Sequence, residues 1–183
     1  MIQFSREGTI IYFTAGDKAK IKIWALPIPP TPDRSTTDPY LPAKYTTPIE
    51  LTHDRAASAI QVLITGDLLF TQSSFASPND VFVIPELKRF ETEVLQSNDL
   101  EYKSFAGEIR QITRFTENAL KDKHLGKGEE FWFKGANDHD VQGWILKPGG
   151  WKDDDTKKWP ILLLIHGGAL LVCSPLFQPL MSS

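Results

Sequence analysis

Thr9-Ile-Ile-Tyr-Phe-Thr-Ala15, Gly16-Asp17-Lys18-Ala19, Lys20-Ile-Lys-Ile-Trp-Ala-Leu26: two runs rich in β-branched and aromatic residues around a short polar link carry the signature of a β-hairpin. In the second run Ile21, Ile23 and Ala25 alternate with Lys20, Lys22 and Trp24, the period of two expected of a strand with one wet face. The segment that follows, Pro27 to Pro48, holds seven prolines among Ser, Thr and Asp. That composition is too stiff and too polar to pack, and it predicts a long surface loop.

Strand rhythm resumes in Ile49 to Thr52, Ala59 to Leu63, Leu68 to Gln72 and Val81 to Ile84. Turns are expected at Gly66-Asp67 and at Ser77-Pro78-Asn79-Asp80. Four short strands at roughly ten-residue spacing predict one antiparallel sheet, with the Thr9 to Leu26 hairpin as half of another. Repeated four-stranded units build β-propellers, but a single sandwich or barrel fits the spacing equally well. Leu87 to Tyr102 reads either as a short helix and turn or as another loop. Ile109 to Phe115 alternates as a further strand, and Thr116 to Gly128 is a polar connector. Within it Lys121, Lys123, His124 and Lys127 suggest a phosphate site. Asp122, Glu129 and Glu130 dilute that charge, so a solvated connector is the expectation.

The chain has 183 residues, 41% of them apolar, which is enough for an ordinary core and about one domain's worth of length. Thirteen prolines, eleven phenylalanines and five tryptophans point to strands and turns rather than long helices, so the expected class is mostly β. Twenty Lys+Arg against 23 Asp+Glu leave a net charge of −3, which argues against nucleic acid as a partner. Cys173 stands alone and cannot close an intrachain disulfide. His53, His124 and His139 lack the His-x-x-x-His spacing of a metal site, so neither metal nor cofactor is expected. No basic-then-apolar secretory pattern is visible at Met1 to Glu7. The longest apolar stretch, Ile161 to Cys173, is interrupted by His166-Gly167-Gly168 and falls short of the ~20 residues of a bilayer span, so no membrane partner is expected.

The last third changes character. Glu129 to Gly135 and Val141 to Pro148 are aromatic strand runs around the turn Gly135-Ala136-Asn137-Asp138-His139-Asp140, a second hairpin. A loop then leads into Trp159-Pro-Ile-Leu-Leu-Leu-Ile165. Five consecutive aliphatics cannot alternate, so both faces are expected to be covered, as in a central strand of an α/β sheet. Directly after it stands His166-Gly167-Gly168. Glycine lacks Cβ, so a backbone N–H there approaches a substrate oxygen closely, as an oxyanion hole requires. These three residues are the candidate oxyanion loop.

Gly128-Glu-Glu-Phe-Trp-Phe-Lys-Gly135, Val141-Gln-Gly-Trp-Ile-Leu-Lys-Pro148 and Trp159-Pro-Ile-Leu-Leu-Leu-Ile-His-Gly-Gly168 together resemble the approach to the catalytic domain of prolyl-oligopeptidase-family serine peptidases, most closely the fungal dipeptidyl-peptidase V branch. Ser74-Phe-Ala-Ser-Pro-Asn-Asp-Val-Phe82 and Ile109-Arg-Gln-Ile-Thr-Arg-Phe-Thr-Glu117 resemble the last blades of that family's β-propeller. The resemblance covers residues 1–168. It implies partial propeller blades in 1–115, then a lead-in hairpin and the first central strand of an incomplete α/β-hydrolase domain in 116–168, with a divergent tail in 169–183. It also implies a secreted serine hydrolase that releases N-terminal dipeptides from peptide substrates through Ser, Asp and His in that chain order.

The working parts of such an enzyme are missing. None of the twelve glycines has the spacing of a Gly-x-Ser-x-Gly elbow, and no Asp or His follows Gly168. No catalytic residue is therefore assigned, and the chain is expected to be inactive alone. His166 reads as a loop residue supporting the oxyanion turn. Residues 169–183 carry no charge and two prolines, which suits neither a helix nor the family pattern. A truncated or misread coding region would explain that tail. Two other readings stand beside the peptidase fragment: a non-catalytic, propeller-like binding module, and a regulator whose Ile161 to Ile165 edge adheres to a full-length homologue.

Overall fold

The computed structural model describes residues 1–31, 41–97, 105–154 and 156–165. Strands dominate them. The first four, β1 (Ile2–Phe4), β2 (Ile10–Asp17), β3 (Lys20–Pro27) and β4 (Ile49–Glu50), form an antiparallel sheet in chain order. Its centre is the expected hairpin, with Asp17 opposite Lys20 and Ile10 opposite Pro27. The Ser5 hydroxyl holds the β1–β2 turn by accepting from the N–H groups of Thr9 and Ile10, both at 3.0 Å. Beyond β4 the pairing continues through a side chain: Leu51 N–H donates to the Ile23 carbonyl, and Ile23 N–H donates to the buried Thr52 hydroxyl.

A second antiparallel sheet repeats the plan with β5 (Ala56–Val62), β6 (Leu68–Ser74), β7 (Ser77–Ile84) and β8 (Arg110–Gln111). The expected grouping is thus corrected. Ile49–Glu50 belongs to the first sheet, because Trp24 and Ala25 of β3 pair with it, and the short β8 completes the second. The turn expected at Ser77 to Asp80 lies instead between Ser74 and Ser77, and Pro78 is inside β7. Proline is tolerated there because the register slips between Gln72 opposite Asp80 and Ser74 opposite Ser77, a bulge where no ladder donor is required. Neither sheet closes on itself.

Both sheets face one core. Ile10, Tyr12, Ile23, Ala25, Ile49 and Leu51 meet Ala57, Ile60, Leu68, Phe70, Phe82 and Ile84, all nearly inaccessible to water. Phe70 and Phe82, paired across β6 and β7, stack with centroids 5.8 Å apart. The undecided stretch after β7 contains the helix α1 (Leu87–Gln96), whose buried Leu87, Phe90 and Val94 recur at helical spacing and seal the same core. Phe105 packs edge-on against Phe90 and donates its N–H to the Glu50 carbonyl, so the return segment also spans the two sheets.

Lys22 departs from the one-wet-face expectation. It is only 9% exposed, because Asp17 Oδ2 at 2.7 Å and Glu50 Oε1 at 2.8 Å neutralise its ammonium. After a short helix α2 (Glu117–Leu120), β9 (Gly128–Lys134) and β10 (Asp140–Leu146) form the aromatic hairpin, turned by the left-handed backbone of Asn137 and Asp138. Trp159 to Ile165 is not the buried central strand expected. It forms no strand, and Ile161 to Ile165 are 76–92% exposed. Burial of such a strand requires neighbours on both edges and cover on both faces, and no described residue provides them.

Candidate functional site at the sheet–hairpin junction

The two faces of the β9–β10 hairpin differ because its register sorts side chains by parity. Phe131 opposite Gly143 and Phe133 opposite Val141 place Glu129, Phe131, Phe133, Val141, Gly143 and Ile145 on one face. Glu130, Trp132, Gln142 and Trp144 share the other.

The second face seats on the two sheets. Glu130 Oε2 lies 3.5 Å from the Lys20 ammonium, and Gln142 donates to the Lys18 carbonyl at 2.8 Å. Trp144 lies under the Lys20 ammonium and packs against Phe75 with ring centroids 5.4 Å apart. Lys18 lies in the β2–β3 turn and Lys20 opens β3 directly after it, while Phe75 lies in the β6–β7 turn. One hairpin therefore touches equivalent turns of both sheets. Gly128 is required at this seat, since a Cβ there would collide with the Phe75 ring. The indole N–H of Trp132, with Lys20 nearby, holds the Glu130 carboxyl below the usual carboxylate range.

From β10 the chain runs toward the candidate oxyanion loop. Lys147 pairs with Glu129 at 2.9 Å and Asp153 at 3.0 Å, and its ammonium is raised by those hydrogen bonds. Trp151 donates to Asp153 and packs on Trp159 at 6.1 Å. These contacts hold the start of the aliphatic run near the base of the hairpin. His166, Gly167 and Gly168 lie outside the described residues, as does Cys173.

The remaining histidines do not assemble a site. His53 Nδ1 meets Glu50 Oε1 at 2.6 Å, at the edge of the Lys22 network. His124 lies against Gly149, and His139 lies in the hairpin turn. Lys121, Lys123, His124 and Lys127 are exposed, as expected of a solvated connector. No group of three metal-ligating side chains occurs among the described residues, and no described helix is long and apolar enough to cross a membrane.

Sequence reading missed two buried polar anchors. Tyr12 donates to Glu91 Oε1 at 2.7 Å. Asp80, 4% exposed, accepts from Gln111 Nε2, the Thr113 hydroxyl and the Phe115 N–H. The only local signal for the second was the Asn79-Asp80 pair, read as a turn.

No family model matches the chain. A curated relative, Dipeptidyl-peptidase 5 of Schizosaccharomyces pombe (strain 972 / ATCC 24843), is 28% identical over 124 residues, which is 66% of this chain and 14% of that protein. The chain thus spans about one-seventh of the relative's length. This likeness supports a relationship to dipeptidyl peptidases, and with it to hydrolases that act on peptides.

Proposed function

We propose that the chain is part of a serine-type dipeptidyl peptidase of the prolyl-oligopeptidase kind. In this reading the two sheets are neighbouring β-propeller blades within 1–115, and 116–168 lead into an α/β-hydrolase domain, followed by the divergent tail 169–183. The observation that carries it is the repetition of a four-stranded antiparallel meander, in the order β1-β2-β3-β4 and then β5-β6-β7-β8, in a chain with sequence likeness to a dipeptidyl peptidase.

The hairpin seat supports the same reading, because it fixes the path from blades to aliphatic run through turns of both sheets. His166-Gly167-Gly168 would offer backbone N–H groups to the oxyanion formed when a peptide carbonyl is attacked, with Gly167 and Gly168 leaving room for close approach. The sequence contains no Gly-x-Ser-x-Gly and no Asp or His after Gly168. The chain alone is therefore inactive, and peptide substrates belong to the intact enzyme.

Two experiments test this. Grafting the matched residues of this chain into the S. pombe protein should leave its release of N-terminal dipeptides within tenfold of the parent, whereas a folded chimera without activity overturns the family reading. A fluorophosphonate probe should leave the chain itself unlabelled, and stoichiometric labelling of a serine overturns the inactivity.

A further inference from the structure

We propose that the outer face of the first sheet is a docking surface for a further four-stranded sheet of the same plan, which stands to the first sheet as the first stands to the second. The inference deepens the blade reading and rests on its repeat, but it needs nothing of the peptidase chemistry.

The register gives the first sheet two apolar faces. Tyr12 opposite Ala25, and Thr14 opposite Ile23, lie on the face that closes the shared core. On the outer face Phe4, Ile11 and Leu26 make one row across the strands, and Ile2, Phe13 and Trp24 make the next. Ile2 and Phe4 are 63% and 59% exposed, and the other four are only partly covered. A sheet that is apolar on both faces needs cover on both. The row after these, Ala15 opposite Lys22, carries a charge that Asp17 and Glu50 already neutralise, so a cover over it strands no lone ion.

The second sheet identifies the cover. Its core face repeats the same rows in the same order: Leu68 opposite Ile84 answers Ile11 with Leu26, Phe70 opposite Phe82 answers Phe13 with Trp24, and Gln72 opposite Asp80 answers Ala15 with Lys22. Each face thus carries an aliphatic row, an aromatic row and a row with one buried charge. The second sheet turns this face onto the Tyr12, Ile23 and Ala25 side of the first. The remaining faces correspond as well. Leu69 opposite Val83 and Thr71 opposite Val81, outside the second sheet, answer Tyr12 with Ala25 and Thr14 with Ile23, inside the first. Each sheet therefore has one face of each kind, and at the shared core unlike faces meet. The outer face of the first sheet is of the kind that seats on a Tyr12 and Ala25 type of face, so its contact runs head to tail and is not two-fold. Repeated units bury their apolar faces only against neighbours, and a relative of which this chain spans about one-seventh has length for more of them.

The full chain carries a free face of each kind, so a second copy serves as the probe. Sedimentation equilibrium from about 1 to 100 μM should show a mass that passes twice 20.6 kDa as concentration rises. Ile2→Lys on the first sheet's outer face and Leu69→Lys on the second sheet's outer face should each weaken association by about tenfold or more, with unchanged far-ultraviolet dichroism showing an intact fold. Thr71→Lys stands in where Leu69→Lys unfolds. Mixed in equal amounts, the two variants should regain one contact and form a pair that grows no further. Phe115→Lys and Leu163→Lys, exposed and outside both faces, should leave association unchanged. A monomer at every concentration, a closed dimer of the unaltered chain, an equal loss at Phe115 or Leu163, or no recovery on mixing overturns the docking face. The two readings fail separately: a monomer beside an active S. pombe chimera overturns the docking face alone, and association beside an inactive chimera overturns the peptidase reading alone.

Discussion

The Tyr12 hydroxyl donates to the Glu91 carboxylate over 2.7 Å, inside the core, joining β2 of the first sheet to α1 of the second. Burial raises the Glu91 carboxyl above the ordinary glutamate value, with the Tyr12 hydrogen bond and Lys88 opposing and the Glu7 charge adding. Burial drives the Tyr12 hydroxyl far upward too. Because the folded state holds the Glu91 proton more tightly, this group's stabilising contribution is complete below the unfolded value, near pH 4, and is lost as pH rises through the folded one. Glu91→Gln should therefore show a flatter fall in urea midpoint between pH 4 and 8 than the parent. Tyr12→Phe should cost about 1–3 kcal/mol at pH 8, where the buried carboxylate loses its donor, and less at pH 4. Urea titrations at both pH values check the sign.

Asp17, Glu50 and Lys22 act in the opposite direction. The Lys22 hydrogen bond lowers the Asp17 carboxyl. Burial pushes Glu50 up, but Lys22 and His53 outweigh it and leave it lowered. Their contribution is present above about pH 4 and lost as pH falls through the depressed folded values. Lys22→Met should weaken the acid limb of the stability profile, measured as a smaller drop in melting temperature between pH 5 and 3.

Asp80 gathers three donors from β8 and the segment after it. Asp80→Ala should cost about 2–4 kcal/mol, because Gln111 and the Phe115 N–H lose a buried acceptor together. Hydrogen exchange should rise first at Ile112, whose N–H donates to the Val81 carbonyl at 2.7 Å.

The hairpin seat depends on Gly128. Gly128→Ala should displace the Phe75 ring, loosen Trp144 and speed proteolysis between Thr116 and Lys127 severalfold. In a Phe75→Ala background the same substitution should have a smaller effect, since the colliding ring is gone, and this coupling separates a steric cause from a general one.

Where structure follows from neighbours in sequence, it was legible. The β2–β3 hairpin and the aromatic hairpin were readable because strand alternation and turn chemistry are both local. The assignment of Ile49–Glu50 to the first sheet was not readable, because its pairing with Trp24 and Ala25 crosses the proline-rich loop. Lys22 looked solvent-facing because its two carboxylate partners come from different strands. The Tyr12–Glu91 bond joins residues 79 apart, beyond the reach of any periodicity. The aliphatic run reversed this pattern: its composition was plain, but burial is a property of the partners around it. His166-Gly167-Gly168 was identified from residue type and order alone, and lies outside the described residues.

The common core of the two sheets also constrains how the chain can be divided. Cutting the backbone between Thr52 and Ala56 would strip each half of the layer that keeps its oily side dry. Any engineered boundary, insertion or permutation therefore has to leave both sheets together.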